Sequence, residues 1–322
     1  MTVEVIICST IYITNFGRES DVRFTSKRRD WRILFGLVAS LAIGGIAVEA
    51  QEAANLTPRL PDKSIYNLFN PTPRESMREM NTDRPDQTES PYTVDAGHFQ
   101  LEMDFVSAEF DRDQTHGRDL RAESWNVAPM NLKVGLLNNV DLQLLLDTYR
   151  HSRVEDRKVP QVTEASGFGD VTTRLKINFW GNDGGKTAFG FIPFIKWPFP
   201  KSGLRNGKTE GGLIFPLSVG LAKGWDLGAM TEFDFVRNDA GNYDTEFVNS
   251  VTVGHELTER LGIYLEFFTI TGSAKDFPWQ GQVDVGWTYA IGENAQLDCG
   301  CNFGVTESAP DFGPFAGFSF RF

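Results

Sequence analysis

The chain has 322 residues and a net charge of −12, and 41% of its residues are hydrophobic. This acidity excludes a nucleic-acid partner, because binding to phosphates requires basic patches. The 26 Phe and 31 Gly residues favour strands and tight turns over a helical bundle.

The amino-terminal region has the features of a secretory signal. Its apolar run, "ILFGLVASLAIGGIAV" at residues 33–48, follows Lys27, Arg28, Arg29 and Arg32. A basic flank, a short apolar core and small residues before Gln51 predict a signal peptide at residues 1–50. Residues 1–25 do not fit a basic signal region, which indicates an upstream start-site overcall. The alternative is a retained membrane anchor, although the run is short and broken by glycine.

Residues 51–97 are predicted to form a periplasmic lead. Within it, "TPRESMREM" predicts a short helix, with Thr72 as N-cap, Pro73 at the first helical position and Glu75 completing a capping box. The stretch "NTDRPDQTESP" follows, and its charged residues are Asp83, Arg84, Asp86 and Glu89. We interpret these four as a plug motif at the mouth of a barrel, within reach of Arg174 or Arg321. The alternative is an exposed linker, solvated in the periplasm.

From residue 98 to residue 322, segments of about ten residues alternate between apolar and polar side chains. The predicted strands are 98–110, 124–137, 140–150, 169–180, 187–199, 210–222, 225–237, 245–257, 261–271, 280–290, 295–306 and 311–322. Tight turns alternate with connections that are mostly longer and polar. This pattern predicts an all-β fold, a transmembrane antiparallel up-and-down β-barrel of about 12 strands. A soluble β-sandwich or lipocalin-like barrel is the alternative, but its loops need not segregate in this way.

Aromatic residues also favour a membrane. Trp225 and Tyr289 lie beside short turns, and another group lies beside long loops: Trp125, Tyr149, Trp197 and Trp279. These positions predict an aromatic girdle at each interface. The terminal Phe322 resembles the signal that outer-membrane proteins present to the barrel assembly machinery. We therefore expect the outer membrane as the location, with its lipid and this machinery as partners.

The polar positions of the strands should face the lumen, because successive side chains point to opposite faces. Strand two changes parity near Pro129, which predicts a bulge. The charged pore-lining candidates are Arg174, Lys176, Lys196, Glu232, Asp234, Glu266, Asp284 and Arg321. The basic cluster and the acidic cluster lie on different strands, so the lumen would be polarised between two walls. The alternative is a salt-bridge network that only stabilises a closed interior.

The sequence offers no cofactor or metal site. Cys299 and Cys301 stand two residues apart on one strand, a spacing unsuited to a disulfide, and we expect both to be small apolar fillers. An outer-membrane phospholipase also uses a twelve-stranded barrel, with Ser, His and Asn on its outside. Asn249 and His255 are predicted to face outward, but their six-residue separation along one strand is about 20 Å. This distance argues against a hydrolase, and we predict no enzyme activity.

Three stretches resemble one known family: "TDRPDQTESPYTVDAGHFQLE", "GFGDVTTRLKINF" and "FGFIPFIKWPF". The family is the group of outer-membrane transporters named for the meta pathway of phenol degradation, and the resemblance covers residues 80–322. It implies an outer-membrane barrel with a transport role and no established catalytic or binding residues. We therefore predict a porin-like transporter that passes small solutes, aromatic or hydrophobic compounds among them. A non-conducting structural barrel is the alternative.

Overall fold

A computed structural model of the protein describes residues 62–114, 119–159, 161–198, 207–238 and 240–322. The predicted signal peptide, its cleavage site and the suspected start-site overcall lie outside these residues. The strand segments are β1 (Phe99–Asp113), β2 (Leu120–Val127), β3 (Met130–Leu137), β4 (Val140–Leu146), β5 (Tyr149–Asp156), β6 (Gln161–Gly167), β7 (Val171–Trp180), β8 (Thr187–Lys196), β9 (Glu210–Gly220), β10 (Trp225–Arg237), β11 (Tyr243–Glu256), β12 (Leu261–Gly272), β13 (Gln280–Gly292), β14 (Ala295–Gly304) and β15 (Phe312–Arg321).

These segments form a closed antiparallel β-barrel of 12 strands, as the sequence predicts. Three of the strands are interrupted, so that β2 continues into β3, β4 is continued by β5, and β6 leads into β7. Neighbouring strands pair in chain order, and β1 closes the barrel by pairing with β15, from Gln100 opposite Arg321 to Phe110 opposite Phe312.

The predicted change of parity near Pro129 is confirmed. Ala128 has a φ of 54° and separates β2 from β3. Ser124 and Lys133 are both buried, so even positions face inward before the break and odd positions face inward after it. In β1, the register with β15 shifts between Asp104 and Val106. The two neighbouring strands therefore change faces at the same level, and their pairing continues across the break.

Two stretches that the sequence predicts as loops, 111–123 and 151–168, are largely strand instead. β2 pairs with β5 from Leu120 opposite Asp156 to Val127 opposite Tyr149, and β5 pairs with β6. The loop prediction is wrong because β5 and β6, "YRHSRVED" and "QVTEASG", carry polar side chains on both faces. The backbone hydrogen bonds that pair strands do not depend on side-chain polarity.

The outer surface of the barrel exposes large apolar and aromatic side chains. All six residues of the predicted girdles are exposed: Trp125, Tyr149, Trp197, Trp225, Trp279 and Tyr289. Exposed aromatic rings at strand ends are typical of the two interfaces of a membrane barrel. Five turns lie at one end of the barrel, here called the short-turn rim: those between β3 and β4, β7 and β8, β9 and β10, β11 and β12, and β13 and β14.

The predicted capped helix near Thr72 is wrong. Only Arg74–Ser76 form a single 3-10 turn, and Pro73 precedes it without a side-chain cap. The backbone N–H of Thr72 donates to the carbonyl of Ala96, and the carbonyl of Thr72 contacts His98 Nε2 at 2.7 Å. Because these bonds tie the residue to the start of the barrel, it does not cap a helix. Among the described residues, no helix is long and apolar enough to cross a membrane.

Candidate functional site

Residues 81–91, here called the interior segment, run through the inside of the barrel. Asn178 on β7 donates its side-chain N–H to the carbonyl of Pro91 at 2.9 Å. The Thr88 hydroxyl lies 2.6 Å from the Ser250 hydroxyl on β11. Gln87 donates Nε2 to Gln282 Oε1 on β13 at 2.9 Å. Because β7, β11 and β13 lie in different parts of the wall, a segment that contacts all three crosses the interior.

Asp83 of the interior segment lies between two buried lysines. Lys133 on β3 and Lys176 on β7 are 4% and 0% exposed. Their ammonium groups donate to the two carboxylate oxygens of Asp83, and Lys133 also donates to Glu102. The backbone N–H of Asp83 donates to Glu102 Oε2 at 3.1 Å. Since a buried ammonium requires a partner charge, Asp83 and Glu102 compensate cations that the barrel carries inside.

Arg84 pairs with carboxylates on β1 and β14. Its Nη2 donates to Asp298 Oδ1 on β14 at 2.6 Å, and its Nη1 pairs with Asp104 on β1. The guanidinium also lies over the Phe315 ring, 5.8 Å from the centroid. A Cβ on residue 317 would lie 2.2 Å from Arg84 Nη2, so Gly317 on β15 leaves the space that the guanidinium occupies.

Glu89 of the interior segment pairs with Arg174 on β7, which lines a cavity inside the barrel. Arg174 donates to Glu89 and lies over the Phe194 ring at 5.7 Å. The cavity has a volume of about 250 Å³, and its charged lining residues are Asp147, Arg150, Asp170, Arg174, Lys196, Glu210, Glu232 and Asp234. Lys196 pairs with both Asp170 and Glu210 at 3.1 Å. The cavity is therefore lined by both signs of charge.

Uncharged groups of the interior segment also contact carboxylates of the barrel wall. Glu266 accepts hydrogen bonds from the backbone N–H of Gln87 at 2.8 Å and from the Thr88 hydroxyl at 2.5 Å. Asp284 accepts one from Gln87 Nε2 at 2.9 Å. Glu266 and Asp284 are 1% and 0% exposed, and they face each other directly across β12 and β13.

At the short-turn rim, the buried Asp95 collects three cations. Lys63 lies 3.7 Å away, Arg78 lies 3.2 Å away, and Arg321 of β15 lies 3.5 Å away. A Cβ on residue 135 would lie 2.1 Å from the carbonyl oxygen of Asp95. Gly135 on β3 thus permits the backbone before β1 to pack directly against the barrel.

Asp183 completes this rim cluster from the turn between β7 and β8. Lys63 lies 3.0 Å from its carboxylate and Arg78 lies 3.4 Å away, while Asn138 donates a hydrogen bond at 2.6 Å. Partial burial alone would raise the pKa of Asp183. The hydrogen bonds from Asn138 and Lys63 and the charge of Arg78 outweigh this effect, so the pKa lies below the ordinary value.

The structure brings many of the sequence-predicted residues together, but with partners that the motif itself does not reveal. Asp83, Arg84 and Glu89 each pair with a barrel residue, and Arg174 is one of the two partners expected for the motif. Arg321, the other, pairs with Asp95 and donates to the carbonyl of Arg78 at 2.8 Å.

Several residues that make the contacts described above are absent from the predicted pore-lining candidates and plug motif: Lys63, Arg78, Gln87, Thr88, Asp95, Glu102, Asp104, Lys133 and Asp298. Glu102, Asp104, Lys133 and Asp298 occupy inward positions of the alternating strands, a signal already available in the sequence. Gln87 and Thr88 lie inside the charged motif but carry no charge. A search for charged residues alone therefore passes over them.

Asn249 and His255 face outward and make separate contacts. Asn249 accepts a hydrogen bond from the Thr231 hydroxyl at 2.9 Å. The His255 ring stacks on Trp225 with centroids 4.2 Å apart. Cys299 and Cys301 are free thiols. Within the described ranges, no group of three or more His, Cys, Asp or Glu side chains could hold a metal ion.

A comparison with solved structures finds a similar fold in an outer membrane channel. The COG4313 outer membrane channel from Pseudomonas putida F1 shares 11% identity with this chain, has a TM-score of 0.56, and is aligned over 75% of this chain and 100% of its own. The translocator domain of the autotransporter NalP from Neisseria meningitidis shares 10% identity, with a TM-score of 0.46 over 70% of this chain and 88% of its own. At 11% identity, the likeness to the COG4313 channel is one of fold.

A comparison with curated protein sequences finds no significant match. A family profile matches residues 82–322, from the interior segment to the last residue, and its description is "Putative MetA-pathway of phenol degradation". The match covers the whole barrel together with the segment inside it. The chain belongs to this family of outer-membrane β-barrels.

Proposed function

We propose that the protein is an outer-membrane channel for small solutes whose interior segment acts as a plug. The observation that carries this proposal is the way in which the interior is filled. Asp83, Arg84 and Glu89 belong to a chain segment that precedes the barrel, and they are held by ion pairs to strands on different sides. A segment bound through polar contacts can be released without unfolding the barrel, which supports a gated channel.

The orientation of the barrel in the membrane follows from the lengths of its turns and loops. The short-turn rim, where Lys63 and Arg78 hold the lead, faces the periplasm, because outer-membrane barrels have short periplasmic turns and longer outer loops. The cavity beside Arg174 then lies beyond the plug on the outer side. The charged residues that line it would contact an entering solute, with small aromatic or hydrophobic compounds among the candidates.

A non-conducting structural barrel is the second candidate, and one observation favours it. Inward-facing apolar side chains pack into a cluster beside the interior segment: Ile192, Ile214, Met230, Val248, Phe268 and Ile270. Such side chains close part of the interior independently of the plug. We propose no catalytic activity, since Asn249 and His255 are engaged in separate contacts on the outside.

Single-channel conductance in planar bilayers tests the proposal. The refolded chain is compared with Arg84→Ala, which removes the ion pairs to Asp104 and Asp298 and leaves two buried carboxylates uncompensated, at a cost of about 3–5 kcal/mol. We expect the variant to conduct more while its barrel still shows the mobility shift on heating. Deleting residues 51–97 should open the channel further. Arg112→Ala is the matched control, because Arg112 pairs with Asp119 in an exposed position.

The second candidate predicts a different result. If the full chain, Arg84→Ala and the deletion variant all assemble and none conducts, the barrel is closed by its own side chains and the channel proposal is wrong. Conductance that is identical in all three forms would instead remove the interior segment as the plug.

A further inference from the structure

One part of the barrel wall, β10–β14, carries only acidic charge on its inner face. The carboxylates at its inward positions include Asp226, Glu232, Asp234, Glu246, Glu266, Asp284 and Asp298. Between residues 225 and 304 the sequence has three Lys or Arg residues, Arg237, Arg260 and Lys275. They lie at the end of β10, in a turn and in a loop, so no ammonium or guanidinium belongs to the inner face of this carboxylate wall.

The wall from β3 to β9 differs, because it carries cations that are matched by carboxylates. Lys133 and Lys176 pair with Asp83, and Arg174 pairs with Glu89. Lys196 pairs with Asp170 and Glu210. In this mixed wall, positive and negative charges largely cancel. The net field inside the barrel therefore arises from the carboxylate wall.

The middle of the carboxylate wall is not neutralised by the interior segment. Asp298 has Arg84 as its partner, but Glu266 and Asp284 receive only neutral N–H and O–H groups from Gln87 and Thr88. Their positions directly opposite one another on neighbouring strands bring two carboxyl groups together. A mobile cation between them would be attracted by both.

Buried acceptor atoms give a second, independent sign. Gln280 is 2% exposed and its Oε1 has no hydrogen-bond partner among the described residues, and the same holds for Oδ1 of the fully buried Asp284. Asp234 Oδ1 is also unpartnered. A buried acceptor without a donor is unfavourable. Each of the three atoms accepts from a cation, an N–H group or an O–H group, and none is satisfied by an anion.

We infer that the barrel selects small cationic solutes over anionic ones, through the carboxylate wall formed by β10–β14. This inference rests on the proposed channel function. A passage lined by one sign of charge concentrates the opposite ion, by about tenfold or more. A solute bearing an ammonium or amidinium group would follow the acceptors from Asp234 to Asp284, whereas a carboxylate or phosphate would be repelled along the same path.

The test is the reversal potential of the refolded full chain in a planar bilayer with a KCl gradient. All variants are also made in the Arg84→Ala background, so that a chain closed at rest is measured in its opened form. We expect K⁺ to permeate about tenfold better than Cl⁻. Glu232→Gln and Asp284→Asn should each lower this ratio at least about twofold. Glu259→Gln, in the exposed turn between β11 and β12, is the matched control and should leave the ratio unchanged.

The outcomes separate the inference from the function on which it rests. A conducting protein that prefers Cl⁻, or shows no preference, overturns cation selectivity and leaves the channel intact. A ratio that falls equally in Glu259→Gln assigns selectivity to the general surface charge and also overturns the inference. The absence of conductance in the full chain, in the Arg84→Ala background and in the variant that lacks residues 51–97 overturns the channel function, and the selectivity with it.

Discussion

The mixed wall and the carboxylate wall share a similar outer face and differ inside. Outward positions on both expose apolar side chains, such as Leu142 on β4 and Leu265 on β12. Inside, the mixed wall binds the interior segment through Lys133, Lys176 and Arg174, whereas much of the carboxylate wall binds it through neutral groups. The requirement for an apolar outer surface is thus met in the same way around the barrel, and the interior charges distinguish the two sides.

Replacing Lys176 should have the largest effect on stability. Lys176→Met removes a fully buried ammonium and leaves Asp83 and Asp141 without its charge. Breaking a buried pair from one side costs about 3–5 kcal/mol. Urea titration of the protein folded into lipid vesicles measures the change in unfolding free energy. Lys275→Met, in an exposed loop, is the control, and a difference between the two variants below about 1 kcal/mol would contradict the anchoring role of the mixed wall.

The outer face of the carboxylate wall is tested by neighbouring substitutions on β13. Val285→Arg places a guanidinium on the face opposite to Asp284, and a mid-bilayer Arg costs about 2–4 kcal/mol. Asp284→Arg places the same group inside, next to Glu266. We expect the first variant to assemble poorly and the second to assemble better, as measured by the fraction of heat-shifting barrel. Equal assembly would show that the two faces are assigned incorrectly.

Neutralising a charge on the carboxylate wall should change the stability of the protein much less than Lys176→Met does, or should increase it. Asp284→Asn keeps an oxygen that accepts from Gln87 and removes the repulsion between Asp284 and Glu266. We expect the unfolding free energy to change by less than about 1 kcal/mol or to rise. The same urea titration measures the unfolding free energy of this variant. A loss as large as that of Lys176→Met would mean that the two walls are balanced alike.

The strands could be predicted from the sequence because their two faces have different surroundings. In Leu261–Gly272, apolar residues recur at every second position from Leu261 to Phe267, and the predicted span 261–271 ends one residue before the observed strand. The break at Pro129 was recognisable because the alternation changes phase there. Residues 120–123 of β2 and most of β5 and β6 were not, since their sequences show little alternation between apolar and polar side chains.

The partners of the interior segment could not be predicted in the same way. The stretch around Asp83 and Arg84 indicates charges that require partners, but the choice depends on which strands the barrel brings opposite one another. Arg84 and Asp298 are separated by 214 positions. The glycine that admits Arg84, Gly317, is one of 31 in the chain, and its role becomes visible only when the last strand is closed against the first. Such long-range pairing is determined by the closed topology of the barrel and cannot be recognised in a local stretch of sequence.

The smallest predicted effect concerns pH and the rim cluster that holds the start of the lead. The pKa of Asp183 lies below its ordinary value of 3.8, so its ion pairs with Lys63 and Arg78 stabilise the folded protein above that value. This contribution is lost as pH falls through the lowered pKa, because the protonated carboxyl no longer attracts the cations. The carboxylate is 27% exposed, so solvent screening keeps the effect modest.

We expect the difference in urea midpoint between the wild-type protein and Asp183→Asn to stay constant from about pH 7 to pH 5 and to shrink only below about pH 4. A difference that already declines above pH 5 would point to another group, whereas a difference that persists at about pH 2 would exclude ionisation of Asp183 as the cause.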